Sequence, residues 1–460
     1  MMSFELNGKR VLVVGLARTG VATALFCSAQ GAAVTAVDAR PESDLSEAAA
    51  KLRAVAIAAQ FEVREKFDVS AFDLVVPSPG VPADAPLLRS AQAAGIRIWS
   101  EIELAAHFLK GKLIGITGSN GKTTTTSLVE HILRTAGVPT ILAGNIGTAL
   151  IGCVERSTPQ TITVAEISSF QLEWVDTFRP DVAVFLNLTP DHLDRHGNLE
   201  TYGATKARIF ACQTAHDTAV LNADDPGARI YAPQGPPTVY WFSRKQRVER
   251  GAFLADGKVV FRRDARDEEI LRVTEIPIPG AHNVENVLAA VAAARLAGVS
   301  PQAIAAGVRT FAGVEHRIEF VAEHNGVRYY NDSKATNVDA TLKALDSFPG
   351  RILIILGGKD KGSDYSSLRE PLRQKAILAL LIGSAADKIE SQIQGSVAIE
   401  RAGTLERAVE VAARAAHLGD IVLLAPACAS FDQFQGFEHR GHVFKDLVRH
   451  LGKPAVNSAR

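Results

Sequence analysis

Residues 112–126 read KLIGITGSNGKTTTT, and this stretch decides how the rest of the chain is organised. KLIGIT has the length and apolar character of a buried strand. From Thr123 to Ala136, Leu128, Val129, Ile132, Leu133 and Ala136 recur at helical spacing. Between the two lies a glycine-rich turn. Glycines there let backbone N–H groups turn inward around phosphate oxygens, and the helix N-terminus adds partial positive charge. Lys122 can reach terminal phosphates, and the Thr123 hydroxyl suits Mg²⁺. Gly118, Ser119, Asn120, Gly121, Lys122, Thr123 and Thr124 are therefore candidate ATP ligands. The spacing misses the general GxxxxGK[ST] pattern by one residue, because Ile116 stands where glycine is required. A plain strand-to-helix turn is the alternative, and a GNGK-like turn followed by four threonines argues against it.

Further along, Glu166 ends the apolar run TITVAEI (161–167), and DVAVFLNL (181–188) leads into TPDHLDRHG. Ligands of open α/β sheets lie at the carboxyl ends of the strands, so both tips should face the phosphate turn. Glu166 is then a natural Mg²⁺ ligand. His192 could bind a second metal ion, although Asp191 and Asp194 are equally available by chemistry. Lys206, in TYGATKARIF, reads from its own segment as a lysine on a solvated helix face.

Upstream, the first hundred residues alternate strands (9–15, 33–38, 73–77) with helical stretches such as 20–30, which Gly31 closes. This βαβ rhythm predicts a parallel sheet covered by helices. Downstream, Asp256-Gly257 between apolar runs predicts a hairpin, and 283–296 an alanine-rich helix. From Val314 the βα pattern returns with ILIILGG, AILALLIG and IVLLAPA. A length of 460 residues fits about three domains, divided here as 1–101, 102–313 and 314–460. Lys plus Arg and Asp plus Glu both number 50. No basic face is implied, and a nucleic-acid partner is not expected. The four cysteines form no CxxC pair, so neither a zinc cage nor a disulfide framework is suggested. MMSFELNGKR lacks an apolar leader core, and no apolar run approaches the roughly 20 residues of a membrane span. A soluble, cytoplasmic protein with no membrane partner is expected. GLARTG (15–20) is not GxGxxG, although Asp38 imitates the acid that binds NAD ribose.

Taken together, TGSNGKTTT, AEISSFQLE, DHLDRHG, YGATKARIF, HNVENVLAA, EHRIEF and NDSKATN resemble the Mur ligases, in order along essentially the whole chain. The off-pattern phosphate turn is the family's own form of that loop. NDSKATN, SPGVP, LGGKDKG and ACASFDQFQGFEHRG look most like the members that add D-glutamate to UDP-N-acetylmuramoyl-L-alanine during peptidoglycan precursor synthesis. The resemblance implies an α/β chain of three domains. The N-terminal domain would be Rossmann-like and hold the UDP-substrate, the central one P-loop ATPase-like, and the C-terminal one Rossmann-like and hold the amino acid. It implies an ATP-dependent ligase that passes through an acyl phosphate with two Mg²⁺ ions, and a monomer.

By the same resemblance, Lys122, His192 and Lys206 would be catalytic, with Lys206 carbamylated by CO₂. Thr123, Glu166, His192 and Lys206 would serve the metal ions. Asn283, Arg317 and Asp332 would join the phosphate turn in binding ATP. Arg18, Thr19, Asp38, Arg40, Ser78, Asn145 and His192 would bind the UDP-substrate, and Lys334, Thr336, Lys361, Ser430 and Phe437 the D-glutamate. The competing readings are another amide ligase of the superfamily, such as a folylpolyglutamate synthetase, a nucleotide-binding regulatory module, and a dinucleotide oxidoreductase.

Overall fold

Twenty strands form three sheets in a computed structural model that describes residues 4–64 and 67–451. Residues 1–3 of the stretch read for a leader lie outside the described residues. The chain gathers into two compact units, Met1–Glu275 with Val284–Arg309, and Ile276–Asn283 with Thr310–Arg460.

The first sheet holds β1 (Arg10–Val14), β2 (Ala33–Val37), β3 (Ala58–Gln60), β4 (Leu74–Pro77) and β5 (Arg97–Ile98) in the order β3-β2-β1-β4-β5. All of its pairings are parallel. Its central strand β1 is apolar from Val11 to Val14, as suits a parallel sheet covered on both faces; Val11, Leu12 and Val13 are fully buried.

The central sheet has nine strands: β6 (Lys112–Thr117), β7 (Thr140–Gly144), β8 (Ile162–Glu166), β9 (Val182–Phe185), β10 (Thr218–Asn222), β11 (Thr238–Ser243), β12 (Gly251–Ala255), β13 (Lys258–Arg263) and β14 (Arg266–Arg272). Their order is β14-β13-β12-β11-β10-β9-β6-β8-β7. The chain leaves β6 toward β7 and β8 on one side and later continues to β9 on the other. The carboxyl end of β6 is therefore the switch point at which such sheets bind ligands. Asp256 and Gly257 take positive φ values of 52° and 73°, and Ala255 pairs with Lys258 across the antiparallel β12–β13 ladder, which is the expected hairpin. At the outer edge β14 is rich in charge: Glu269 pairs with Lys258, Asp267 with Arg262 and Glu268 with Arg295.

The strand expected over 181–188 stops at Phe185. The cause is local. Leu186 N–H donates to the Thr117 carbonyl (3.0 Å), and Ser119 N–H to the Asn187 carbonyl (3.0 Å), so the chain peels off the ladder and lines the phosphate turn. The alanine-rich helix runs from Ala281 to Leu296, and Val287 to Ala294 are fully buried along it.

In the second unit, β15 (Glu319–His324), β16 (Val327–Asn331), β17 (Ile352–Gly357), β18 (Ala376–Ile382), β19 (Ala398–Gly403) and β20 (Ile421–Leu424) are ordered β15-β16-β20-β17-β18-β19. Only the β15–β16 pair is antiparallel in this sheet.

Two buried carboxylates fasten the first sheet to the central one. Glu103, wholly buried, accepts N–H donation from Asp176 (2.8 Å), Thr177 (2.9 Å) and Phe178 (2.8 Å). Glu101, 1% exposed, accepts from Ile151 N–H at 2.6 Å, while its Oε2 is buried without a partner. Burial pushes the Glu101 carboxyl from 4.5 up to about 7. A carboxyl that binds its proton more tightly in the folded state favours folding at low pH and loses that contribution as pH climbs through the folded value. Glu101→Gln, which mimics the protonated acid, should therefore unfold like the wild type near pH 4. At pH 8 it should be more stable by on the order of 3 kcal/mol. Urea unfolding at the two pH values checks this.

Candidate active site

The phosphate turn rises from the carboxyl end of β6 and closes on the helix Lys122–Thr135, which buries Leu128, Val129, Ile132 and Leu133 against the sheet. Gly121 caps that helix in the left-handed region, at φ 82°. A Cβ there would come within 2.3 Å of Asn286 Oδ1, so the position requires glycine for both conformation and space. Neighbouring polar groups fix the turn from outside. Asn120 N–H donates to Asn187 Oδ1 (2.8 Å), Ser119 Oγ to the Thr189 carbonyl (3.0 Å), and Thr125 Oγ1 to Asn286 Oδ1 (3.3 Å).

Charge is concentrated inside this frame. The Lys122 ammonium donates to the carbonyls of Gly118 and Ser119, both at 2.8 Å. The Lys206 ammonium reaches the same Gly118 carbonyl at 2.9 Å and lies 4.5 Å from the centre of the Tyr202 ring. Lys206 is 1% exposed, which overturns its reading as a solvated helix-face lysine. The helix Leu199–Ala207 points it inward, onto the strand tips. Burial first, then the Lys122 charge, hold its amine well below the ordinary lysine range, with Asp191 and Glu166 acting in the opposite sense.

Glu166, at the end of β8 and 3% exposed, accepts from Thr123 Oγ1 (2.7 Å) and from Asn145 Nδ2 (2.8 Å). Both donors are neutral. A buried carboxylate with a hydroxyl beside it is a set of hard oxygen ligands, which fits Mg²⁺. The phosphate turn, Glu166, Asn145 and Lys206 are thus brought together. His192 stands at the rim, half-exposed and in left-handed backbone at φ 51°. Its Nε2 is 3.6 Å from Asp191 Oδ2, and its ring centre is 4.9 Å from that of Phe170.

In the first sheet, Arg18 and Thr19 open the helix Arg18–Ala29 beside the tip of β1. Ser78 Oγ donates to the Gly15 carbonyl at 2.7 Å, joining the turn after β4 to the loop after β1. Asp38 is already engaged: its carboxylate accepts from Leu16 N–H (2.7 Å) and pairs with Arg40 at 3.0 Å. Burial alone would raise its pKa, but Arg40 and those N–H groups hold it below the usual value.

The second unit carries the remaining candidates. Burial raises the Asp332 carboxyl to about 7 against the opposing pull of Arg317, whose Nε is buried without a hydrogen-bond partner. Asn283 Nδ2 donates to the Pro279 carbonyl at 2.6 Å. Lys334 lies 5.8 Å from the Phe437 ring centre, and Thr336 N–H donates to the Lys334 carbonyl at 2.8 Å. Ser430 follows β20, buried, and Lys361 follows β17, exposed. Lys334 and Thr336 follow the carboxyl end of β16, whereas Arg317 precedes β15, Asn283 lies in the helix Ala281–Leu296 and Phe437 opens the helix Phe437–His450.

Three further residues belong to these frames. Asn286 lies three positions after Asn283, one turn along the helix, and that spacing is the signal for it. Phe431 leaves 67% of its surface exposed directly after Ser430, an apolar side chain inside a polar turn. Arg440 is wholly buried; it donates to Ser333 Oγ (3.0 Å) and to the carbonyls of Ser333 (2.9 Å) and Cys428 (3.2 Å). Its signal in the sequence was no stronger than that of any helix arginine.

The first unit is built to cradle a nucleotide's phosphates, which places the chain among the phosphate-loop α/β proteins. Its sequence narrows this. Residues 9–100 match the Mur ligase MurD-like N-terminal domain, 116–294 the Mur ligase middle domain, and 316–428 the Mur ligase glutamate ligase domain. UDP-N-acetylmuramoylalanine–D-glutamate ligase of Acidobacterium capsulatum is 53% identical over 458 residues, covering 99% of both chains. The protein of the same name from Solibacter usitatus is 53% identical over 447 residues, 97% of this chain and 99% of its own. Among solved structures, UDP-N-acetylmuramate-alanine ligase from Thermotoga maritima shares the fold, with a TM-score of 0.57 and 19% identity across 96% of this chain and 99% of its own. The chain belongs to the Mur ligase family, and it is an ATP-dependent amide ligase with that family's three-domain architecture.

Gly121→Ala tests the cradle. The substituted turn should lose ATP affinity by roughly tenfold or more, because the N–H groups no longer converge. The circular dichroism spectrum should stay that of the wild type, and isothermal titration with ATP measures the loss.

Proposed function

We propose that this chain joins D-glutamate to UDP-N-acetylmuramoyl-L-alanine, activating the substrate carboxylate as an acyl phosphate in peptidoglycan precursor synthesis. The observation that carries the reading is the meeting of Lys122, Glu166 and Lys206 around the Gly118 turn. It occurs in a chain that follows D-glutamate-adding relatives over nearly its full length.

Backbone N–H groups of the turn and the Lys122 ammonium hold the β- and γ-phosphates in line and offset the charge that builds during transfer. Thr123 and Glu166 would hold Mg²⁺, and that ion would supply further positive charge to the phosphate oxygens. The substrate carboxylate attacks the γ-phosphorus and ADP leaves. The D-glutamate amine then attacks the acyl carbon, gives up its proton, and phosphate departs from the tetrahedral intermediate to leave the amide. Exposed His192 is assigned to this acyl end. Arg18, Thr19, Ser78 and Asn145 are assigned to the UDP-substrate, with Asp38 and Arg40 shaping that loop. Asn283, Arg317 and Asp332 are assigned to the nucleotide, and Lys334, Thr336, Lys361, Ser430 and Phe437 to D-glutamate. Cationic Lys361 suits an acidic amino acid.

Lys206 is assigned as a carbamate. Its neutral nitrogen adds to CO₂ and releases one proton, so the side chain ends in an oxygen anion of the kind a hard metal ion prefers. The change also places an anion near the Lys122 ammonium, which attracts it. A second Mg²⁺, a monomeric state and a cytoplasmic location belong to the same reading. Among the described residues, no helix is long and apolar enough to cross a membrane.

Phosphate release should require ATP, UDP-N-acetylmuramoyl-L-alanine and D-glutamate together, and L-glutamate, L-alanine or a diamino acid should not replace D-glutamate. Release that any of those three supports equally well would count against the assignment. Lys206→Ala should cut kcat by roughly a hundredfold or more, as expected for loss of a group that stabilises transition-state charge. Unchanged turnover would remove the carbamate from the scheme.

A further inference from the structure

The loop that carries Asp191 and His192 is tied to the first sheet through one side chain. Arg195 belongs to the one-turn helix Leu193–His196, and its N–H donates to the His192 carbonyl at 3.1 Å. Its guanidinium makes contacts in three directions. Nε donates to Glu173 Oε1 at 2.8 Å, and Nη2 pairs with Glu173 Oε2. The group lies 4.5 Å from the centre of the Phe170 ring, whose other contacts include the rings of His192 and His196. Nη1 donates to the Pro79 carbonyl at 3.3 Å.

Pro79 sits in the turn Ser78–Val81 after β4, closed by a 2.9 Å bond from Val81 N–H to the Ser78 carbonyl. This is the turn that Ser78 fastens to the loop after β1. The guanidinium therefore spans the two parts that a UDP-linked substrate must touch at once: the turn assigned to its nucleotide end and the loop assigned to its reacting carboxylate. Few side chains can do this. The fork of five N–H donors allows a two-point bond to Glu173 while a third donor reaches a carbonyl, and its flat face stacks on a ring. The pair is largely buried, at 14% and 11% exposure, so it is held in one geometry. Behind it, Arg208 donates to the Glu173 carbonyl at 2.7 Å, and Ser100 N–H to the Trp174 carbonyl at 2.7 Å, which fixes the segment that carries Glu173.

We infer that Arg195, with Glu173 as its anchor, is a positioning residue that sets the span between the Ser78–Val81 turn and the His192 loop. In this role it governs how the UDP-linked substrate presents its carboxylate to the phosphate site. The inference rests on the proposed reaction and adds to it a residue that need not touch ATP or the amino acid.

The test separates the KM values of the substrates in the phosphate-release assay. Arg195→Ala should raise KM for UDP-N-acetylmuramoyl-L-alanine about tenfold and lower kcat, because a small misplacement of a reacting group costs rate. KM for ATP should stay within about twofold of the wild type, since the phosphate turn is held by Asn187, Thr189 and Asn286 instead. Arg195→Lys keeps the charge but loses the fork and should fall between the two. Should Arg195→Ala not fold, Arg195→Lys and Glu173→Gln carry the same measurement and should show the same split in milder form. Two outcomes overturn the inference: both KM values unchanged, or both raised together, which is what a general loosening of the fold would give. Wild-type protein that releases no phosphate with all three substrates would instead overturn the reaction itself, so the two failures are distinguishable.

Discussion

The Gly118 carbonyl receives two lysine ammonium groups, Lys122 at 2.8 Å and Lys206 at 2.9 Å. Like charges gathered on one neutral acceptor, one of them almost wholly buried, are expensive unless anions answer them. Much of the surrounding architecture can be understood as the answer. Glu166 lies at the next strand tip, Asp191 on the next loop, and the N–H groups of the turn at the start of a helix.

That arrangement needs a rigid mount. The turn is not held by its own glycines alone, since Asn187 and Thr189, beyond the end of β9, hydrogen-bond it, and Asn286 packs against it from the alanine-rich helix. In the second unit Arg440 has a comparable task. A buried guanidinium with carbonyl and hydroxyl acceptors draws the loops at Ser333 and Cys428 onto one helix, and burial lowers its pKa to about 10. Both units spend buried polar groups on fixing loops at the carboxyl ends of strands, where the chemistry is assigned.

The βα alternation, the Asp256-Gly257 hairpin and the switch-point position of KLIGITGSNGK were legible in the sequence because each rests on short-range periodicity or turn chemistry. Glu166 beside Thr123 was legible for a related reason: parallel strands deliver their ends to one side. Two things were not. The segment around Lys206 is polar enough for a solvated helix, and only the packing of Tyr202 and the phosphate turn shows that its amine is buried. The premature end of β9 was hidden as well, since DVAVFLNL keeps its apolar character to Leu188 while hydrogen-bonding partners nearly 70 residues earlier claim Leu186 and Asn187, and Asp225 takes the Leu188 N–H. Asp38 shows a third limit. Its position after β2 fits a ligand-binding acid, yet its oxygens already hold Leu16 and Arg40.

The outer strand of the central sheet has a consequence for the protein as a molecule in a crowded solution. β14 ends the sheet, so one side of it presents backbone donors and acceptors that another chain could zip onto. The run Arg266-Asp267-Glu268-Glu269 pairs its acids with Arg262, Arg295 and Lys258. Any foreign strand docking there would have to strip water from that ionic fringe. The charged border thus disfavours edge-to-edge strand pairing in a polypeptide rich in apolar parallel strands, and it lies six strands along the sheet from β6, which carries the phosphate turn.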